Sequence, residues 1–496
     1  MKGLNRVGGA LRRLNAAGLT RVVLASGAAV GVVALAAAHP LDLDLVSASG
    51  DEDVSVVGSA LATRVVQVCP GPELSGIPGV DDVEVPAALT AATGPEELLP
   101  LPATGEGALV AVAGKAKVLT VDTRPGAATA PLEGAAAVRL TGTGALAPAV
   151  AGTQEWRADG KDLRGLVTVP CAAGGSDLWL LGGGAGPGRQ ERLVLTNPGD
   201  NPVTTDVTVH GAAGPLGAPV VETVPPGGRV SLLLDARAAA ETMPAVHVRA
   251  DGGGIQATLT DTWIEGSTAL GAETTAPIAQ PATVQVVPAA VVGGGATTVR
   301  VAVPGEQDAV VRVTVLGGDG LVPASGDTVL TAAAGSVGEL TLEGVPTGTY
   351  AVMLRSDVPV VGSVLSRVGD GSAPGEFAWS GAVDGVRSLA GAAVEPVADV
   401  DRSLHLVATG GNVTAEVVTV IDGTPRTRSV DLLSDRVAIV PLDVAESVWV
   451  RRTTGSGELR GTVLSSQGSG PERLLSSMPL QESVVTSAVS RAFPLP

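Results

Sequence analysis

Arg192-Leu193-Val194-Leu195-Thr196-Asn197-Pro198-Gly199-Asp200 is a short apolar run that ends in a turn signal, and the run from Val203 to His210 follows it. The second run alternates between apolar and polar residues, as expected of a strand with one exposed face. Asn-Pro-Gly-Asp has the residue types of a β-turn. The stretch therefore predicts two antiparallel strands joined by a tight turn.

The residues that follow extend this pattern. Further strand-like runs, separated by glycine and proline, are Val220 to Val224, Val230 to Leu234, Val246 to Ala250 and Ile255 to Trp263. Six or seven short strands at turn spacing are typical of an antiparallel β-sandwich.

The same order of runs recurs along the chain, and each copy contains an arginine within an apolar alternating run. These arginines are Arg139, Arg249, Arg355 and Arg451, which lie 110, 106 and 96 residues apart. The period is about the length of one small domain. A propeller blade needs only about 40 to 50 residues, so the period favours tandem sandwiches over a propeller.

Composition supports this class of fold. The 496 residues include 67 glycines and 35 prolines, which favours short strands and many turns, and 45% are hydrophobic. We therefore predict an all-β protein of tandem immunoglobulin-like antiparallel β-sandwich modules after an N-terminal hydrophobic helix. The predicted parts are a basic cytoplasmic segment 1–21, a membrane or signal segment 22–38, module 1 at 45–175 with a loop insertion at 73–107, module 2 at 176–280, module 3 at 281–385 and module 4 at 386–496.

The N-terminus has the features of an export segment. Five basic residues up to Arg21 precede an uncharged run from Val22 to Ala38, and an acidic stretch begins at Asp42. This charge order places the N-terminus inside the cell and the rest of the chain outside. The run of 17 residues fits either a short membrane anchor or a cleaved signal peptide, and the long basic flank favours the anchor.

The chain has two cysteines, Cys69 and Cys171. In an oxidising compartment such a pair is expected to form one disulfide, although two free buried thiols are the alternative. Neither cysteine lies in a Cys-x-x-Cys pair and no histidine is near in sequence, so a metal site is disfavoured.

The search for catalytic motifs finds none. The four histidines form no zinc motif, and we find no nucleophile elbow, phosphate loop or calcium loop. His210 and His247 lie in strand-like runs, where we interpret them as structural. The net charge of −18 argues against a nucleic-acid partner. We accordingly expect no enzyme activity, no cofactor and no metal site.

The repeated arginines allow two interpretations. They could form a row of anion-binding positions, one in each module. We favour a structural role, in which each arginine covers an edge strand or pairs with a nearby carboxylate. Four tryptophans, about one per module, are similarly interpreted as core anchors rather than ligand platforms; they are Trp156, Trp179, Trp263 and Trp449.

The segments Cys69-Pro70-Gly71-Pro72 and Leu195-Thr196-Asn197-Pro198-Gly199, with Cys171 and Trp179, resemble a family of exported, membrane-anchored actinobacterial proteins of unknown function. The resemblance implies an extracytoplasmic, membrane-associated protein and no particular activity.

We therefore expect a non-enzymatic scaffold or binding protein of the cell envelope. It would be a single-pass membrane protein with its C-terminal part outside, or a secreted protein if the N-terminal segment is cleaved. Its expected partners are an envelope protein or a wall polymer. The alternative is an accessory hydrolase or transferase whose site lies between modules.

Overall fold

A computed structural model describes residues 57–238, 240–369 and 374–490. In this part the strand pairings between residues 64 and 482 are all antiparallel, and helical structure is limited to short turns at Glu96–Leu98, Asp235–Ala238 and Gly470–Glu472. The predicted all-β, antiparallel class is confirmed. Among these residues, no helix has the length and apolar character needed to cross a membrane. The predicted segments 1–21 and 22–38 lie outside the described residues.

Residues 64–170 form two four-stranded sheets that face each other, which we call the first sandwich. Its strands are β2 (Arg64–Cys69), β3 (Ala87–Thr93), β4 (Gly107–Ala113), β5 (Ala116–Val121), β6 (Gly126–Leu132), β7 (Val138–Gly144), β8 (Val150–Asp159) and β9 (Arg164–Pro170). The sheet orders are β2-β7-β4-β5 and β6-β3-β8-β9.

The second sandwich spans residues 177–275. Its strands are β10 (Asp177–Leu181), β11 (Arg189–Thr196), β12 (Val203–Gly211), β13 (Gly214–Pro215), β14 (Val220–Val224), β15 (Arg229–Leu233), β16 (Ala245–Asp251), β17 (Gln256–Glu265) and β18 (Thr268–Thr275). One sheet has the order β10-β16-β12-β13 with β14 also beside β12, and the other has the order β15-β11-β17-β18.

The third sandwich spans residues 282–381. Its strands are β19 (Ala282–Val292), β20 (Thr297–Ala302), β21 (Ala309–Gly317), β22 (Gly320–Val322), β23 (Val329–Ala332), β24 (Val337–Thr341), β25 (Gly348–Val368) and β26 (Glu376–Gly381). The long strand β25 belongs to both sheets, because its first half pairs with β19 and β21 and its second half with β20 and β26. Pro359, which has no N–H to donate, lies where β25 passes between the sheets.

The fourth sandwich spans residues 390–482. Its strands are β27 (Ala390–Ala393), β28 (Val400–Thr409), β29 (Val413–Ile421), β30 (Thr424–Leu432), β31 (Arg436–Pro441), β32 (Ser447–Gly455), β33 (Glu458–Gln467), β34 (Leu474–Pro479) and β35 (Gln481–Glu482). The sheet orders are β30-β29-β32-β27-β35 and β31-β28-β33-β34. A separate pair joins β1 (Val57–Leu61) to β36 (Thr486–Ser490).

All four sandwiches share one strand order, to which the fourth adds β35 beside its first strand. We number the strands from one to eight within each sandwich. One sheet then has the order first, sixth, third, fourth, and we call it the 1-6-3-4 sheet. The other has the order fifth, second, seventh, eighth, and we call it the 5-2-7-8 sheet. In the second and third sandwiches the fourth strand is divided into two short strands. In the third sandwich the first half of β25 is the sixth strand and its second half is the seventh. In the immunoglobulin order the seventh strand lies beside the sixth, whereas here it lies beside the second.

Each sandwich buries its own apolar core between its two sheets, filled mainly by valine, leucine and alanine. Period-two alternation supplies these residues because it turns every second side chain toward the facing sheet. In β12, for example, Val203, Val207 and Val209 are buried, whereas Thr204 and Asp206 are exposed.

The loop insertion predicted at residues 73–107 is wrong in part. Ala87–Thr93 forms β3, an inner strand between β6 and β8, and Leu89, Ala91 and Ala92 are fully buried. The run Ala-Ala-Leu-Thr-Ala-Ala-Thr has few of the branched residues that mark strands, since alanine is depleted in them. Its strand conformation comes from pairing on both sides rather than from local propensity.

The eighth strands, which we call the closing strands, pack against one another in a closed cycle: β9 lies beside β18 and β34, and β26 also lies beside β18 and β34. Hydrogen bonds cross between them. The Thr168 N–H donates to Ser476 Oγ (3.0 Å), and the Ala272 N–H donates to Glu376 Oε1 (3.2 Å). Residues 59–489 form one compact unit. The four sandwiches are therefore arranged as a ring around the closing strands.

Neighbouring sandwiches also pack face to face. The outer surface of one 1-6-3-4 sheet covers the outer surface of the next 5-2-7-8 sheet: Trp179 and Leu181 pack on Ala302 and Val361, from the second sandwich to the third. The same arrangement joins the third sandwich to the fourth and the fourth back to the first. Ring closure therefore buries the same kind of apolar surface as the contacts between consecutive sandwiches.

Cys69 and Cys171 form a disulfide, as predicted, and both are fully buried. The bond joins the ends of the first sandwich across 102 residues of chain.

We expect the double variant Cys69→Ala, Cys171→Ala to lose about 4 to 5 kcal/mol of unfolding free energy, because closing a loop of about 100 residues restricts the unfolded chain. Chemical denaturation with and without a reductant measures this. The reductant should weaken the wild type to the level of the variant and leave the variant unchanged. Equal stability of oxidised wild type and variant would contradict the prediction.

Candidate functional site

Each repeated arginine lies on the sixth strand of its sandwich. The four are Arg139 on β7, Arg249 on β16, Arg355 on β25 and Arg451 on β32. Arg249, Arg355 and Arg451 face the fourth residue of the third strand, whereas Arg139 faces the sixth residue of β4. The sixth strand pairs on both sides, with the first and the third strand. The interpretation that these arginines cover edge strands is therefore wrong, because sequence spacing gives the position along a strand but not the neighbours of that strand.

Two of these arginines form ion pairs with carboxylates. Arg139 Nη2 lies 2.9 Å from Asp200 Oδ1, which belongs to the turn after β11 in the second sandwich. Arg451 Nη2 lies 2.8 Å from Glu416 Oε1, directly across on β29. Both pairs reach solvent, so each contributes at most about 1 kcal/mol.

The other two arginines have contrasting neighbours on the third strand. Arg249 is in register with Asp206 on β12, whereas Arg355 is in register with Arg312 on β21. Arg249 and Arg355 are exposed, whereas Arg139 and Arg451 are half-buried. The structure therefore does not provide four equivalent anion-binding positions.

A cleft of about 660 Å³ opens between the first and fourth sandwiches, where the ring closes. This volume is in the range of small-molecule sites. Its charged lining residues are Glu155, Arg157, Asp159 and Glu395, and its other lining residues are mainly alanine, proline and threonine. We call it the seam cleft.

A buried ion pair lies beside the seam cleft and joins the two sandwiches. Arg402 Nη2 on β28 lies 2.6 Å from Glu155 Oε2 on β8, and the two side chains are 2% and 9% exposed. Burial raises the pKa of Glu155, and the positive charge of Arg402 opposes this rise. The pair holds the first and fourth sandwiches together at the inner end of the seam cleft.

The centre of the ring contains a pair of enclosed glutamates. Glu273 on β18 and Glu376 on β26 are 0% and 1% exposed, and Ser476 Oγ donates to Glu273 Oε1 at 3.0 Å. Burial raises the pKa of both carboxyls well above the usual range, and the charge of Glu376 raises that of Glu273 further. The shift favours the neutral form of each carboxyl, which lowers the cost of its burial.

His210 and His247 lie at the interface between the second and third sandwiches. His247 stacks on Trp179 at 4.3 Å between ring centroids, and its Nε2 lies 3.0 Å from Asp177 Oδ1. His210 Nδ1 lies 3.0 Å from the Gly335 carbonyl oxygen. Burial lowers the pKa of His210 and so favours its neutral form. Both rings fill an interface.

The predicted tryptophan anchors differ in burial. Trp156, Trp179 and Trp449 are at most 2% exposed and serve as anchors. Trp263 is half-buried, and the guanidinium groups of Arg189 and Arg367 lie 5.1 and 4.7 Å from its ring centroid.

Glu73, in the segment after Cys69-Pro70-Gly71-Pro72, is fully buried between the first and second sandwiches. Neither carboxylate oxygen has a hydrogen-bond partner of standard geometry among the described residues. Burial raises the pKa of Glu73 to about 7, although the positive charge of Arg229 opposes the rise. Arg229 Nη1 donates to the carbonyl oxygens of Pro70 (2.7 Å) and Pro72 (2.9 Å), which fixes the segment on β15.

Sequence reasoning missed the buried arginines of the second strands. Arg192 and Arg300 are 3% and 2% exposed, and each donates to backbone carbonyls of the preceding sandwich. Their spacing, from 192 to 300, matches the repeat and could have revealed them. The buried glutamates have a weaker signal, because Glu273 is the only charged residue in 266–299 and Glu376 the only one in 371–383.

In the part of the chain that the structure describes, no three histidine, cysteine, aspartate or glutamate side chains come together as metal ligands.

The family of the chain follows from the region between β6 and the end of β31. The model of the Family of unknown function (DUF5719) matches residues 126–442, more than half of the chain. The chain belongs to this family. The matched region of this DUF5719 chain includes Cys171 and Leu195-Thr196-Asn197-Pro198-Gly199, and it begins after Cys69-Pro70-Gly71-Pro72. No curated protein matches the chain.

We expect Arg402→Met to lower the unfolding free energy by about 3 to 5 kcal/mol, because it leaves the Glu155 charge buried without a partner. The double variant Arg402→Met, Glu155→Leu should recover most of this loss. Arg451→Met, at the more exposed pair, is the matched control and should cost less than about 1 kcal/mol. Chemical denaturation measures all three, and equal losses for Arg402→Met and Arg451→Met would refute the role of burial.

We expect Glu73→Gln to stabilise the protein above neutral pH. A carboxyl whose folded-state pKa is raised from 4.5 to about 7 contributes stability that is present below pH 4.5 and lost as pH rises through 7. The wild type should therefore lose on the order of 3 kcal/mol more than the variant between pH 5 and pH 8. Denaturation curves at both values test this, with exposed Glu133→Gln as control. Parallel pH profiles for wild type and Glu73→Gln would disprove it.

Proposed function

We propose that the chain is a non-enzymatic binding or scaffold protein of the cell envelope, located outside the membrane and held there by residues 22–38. This proposal rests on the positions of the potentially reactive side chains. Glu273 and Glu376 are enclosed among the closing strands, and His210 and His247 fill an interface. A catalytic side chain must be able to contact the substrate, and these four do not face an open site. In the described part of the chain, the open surfaces include sheet faces and the seam cleft.

Two further features support the proposal. The disulfide between Cys69 and Cys171 fits an oxidising compartment. The closed ring keeps four sandwiches in fixed relative positions, and a rigid surface loses little entropy when a partner binds. The expected partner is an envelope protein or a wall polymer.

The seam cleft favours a second candidate, an accessory hydrolase or transferase. It is a cavity between sandwiches, and carboxylates of Glu155, Asp159 and Glu395 line it. Glu155 is paired with Arg402 and Asp159 with Arg164, which leaves Glu395 as the best available general base.

Crosslinking on intact cells tests the two candidates, with a tagged full-length protein and a control that lacks residues 1–38. A binding protein should enrich one envelope component only in the full-length form. Turnover of a glycan or peptide wall substrate by the purified protein, abolished by Glu395→Gln and retained by Glu133→Gln, would instead establish the enzyme. No enrichment together with turnover would refute the binding function.

A further inference from the structure

The 1-6-3-4 sheet of the third sandwich is covered at one end only. Leu316 and Met353 pack against Val407 and Val437 of the fourth sandwich. Toward the other end of the same outer face, the side chains of β21 and β25 are exposed. This open end carries Arg312, Arg355 and the exposed valines Val310 and Val329, which are 48% and 45% exposed.

Arg312 and Arg355 are direct cross-strand neighbours on this face. Like charges directly opposite in an antiparallel pair repel, and guanidinium groups stay charged at any physiological pH. Within the described residues, neither arginine lies within 4.0 Å of a carboxylate. The carboxylate of Asp357, two residues along β25, accepts the backbone N–H of Val310 at 2.9 Å and forms no ion pair with either arginine.

Two of the other sandwiches have a carboxylate opposite the sixth-strand arginine, whereas in the first sandwich Val112 faces Arg139. In the fourth sandwich Glu416 faces Arg451, and in the second Asp206 faces Arg249. Asp177 flanks Arg249 on its other side. The third sandwich has the sixth-strand arginine but replaces the opposing carboxylate by Arg312. Two positive charges are therefore held side by side on a rigid sheet, and among the described residues neither forms an ion pair with a carboxylate, although the chain as a whole carries a net charge of −18.

We propose that Arg312 and Arg355 form a binding site for a phosphate group. Two planar guanidinium groups offer parallel N–H donors to the oxygens of a tetrahedral anion. A bound phosphate provides the negative charge that Glu416 provides for Arg451, and it removes the repulsion between the two strands. The site deepens the proposed binding function, on which it rests, by naming a phosphate as the group that the partner offers.

Titration calorimetry of the purified full-length protein tests the site. The probes are inorganic phosphate and linear polyphosphate, with sodium chloride at equal ionic strength as the reference. We expect saturable binding of phosphate and none of chloride. Equal affinity per phosphate group for the two probes indicates a free anion as ligand, whereas tighter binding of the polymer indicates a polymeric one.

Two charge exchanges make the test specific. Arg312→Glu places a carboxylate opposite Arg355, as Glu416 lies opposite Arg451 in the fourth sandwich. It should therefore weaken phosphate binding about tenfold or more and raise the melting temperature at low salt. Glu416→Arg makes the reverse change at the matched position and should create a second phosphate site. Wild-type protein that binds phosphate no better than chloride, or Arg312→Glu protein with unchanged binding, would overturn the proposal. This outcome is independent of whether crosslinking finds an envelope partner.

Discussion

The packing of the four closing strands around one centre is the constraint on which the rest of the structure depends. Each sandwich contributes its eighth strand, so the four strands must approach closely, and small residues make this possible. A Cβ on Gly165 of β9 would lie 2.7 Å from the Ala272 carbonyl oxygen of β18. The repeat length of about 100 residues follows from this geometry, because each repeat must form a full sandwich and return one strand to the centre.

Face-to-face contacts between sandwiches complete the ring, and buried polar groups make these contacts specific. A buried carbonyl needs a donor, and long arginine side chains supply several donors at once. Arg300 donates to the carbonyl oxygens of Gly182, Pro244 and Thr242 in the second sandwich, and it ion-pairs with Glu339 in its own. Removing one such arginine leaves several carbonyls unsatisfied.

The four strand arginines show how one sequence position acquires different chemistry. Spacing alone predicts that Arg139, Arg249, Arg355 and Arg451 are equivalent, and they do occupy the same strand. Their electrostatic surroundings differ because the neighbouring strands come from distant parts of the sequence. Three of the four have a carboxylate as a neighbour in space or in register, and Arg355 has Arg312.

The amino-acid sequence by itself determined the all-β class, the repetition near 100 residues and the single disulfide, because alternation, turn residues and a lone cysteine pair are local or compositional signals. It did not reveal β3, whose alanines and threonines form a strand only through pairing on both sides. It also did not reveal the ring, the seam cleft, or the burial of Glu73, Glu273 and Glu376. These depend on which surfaces meet when the four sandwiches pack together, and contacts between residues far apart in the chain are not specified by local patterns.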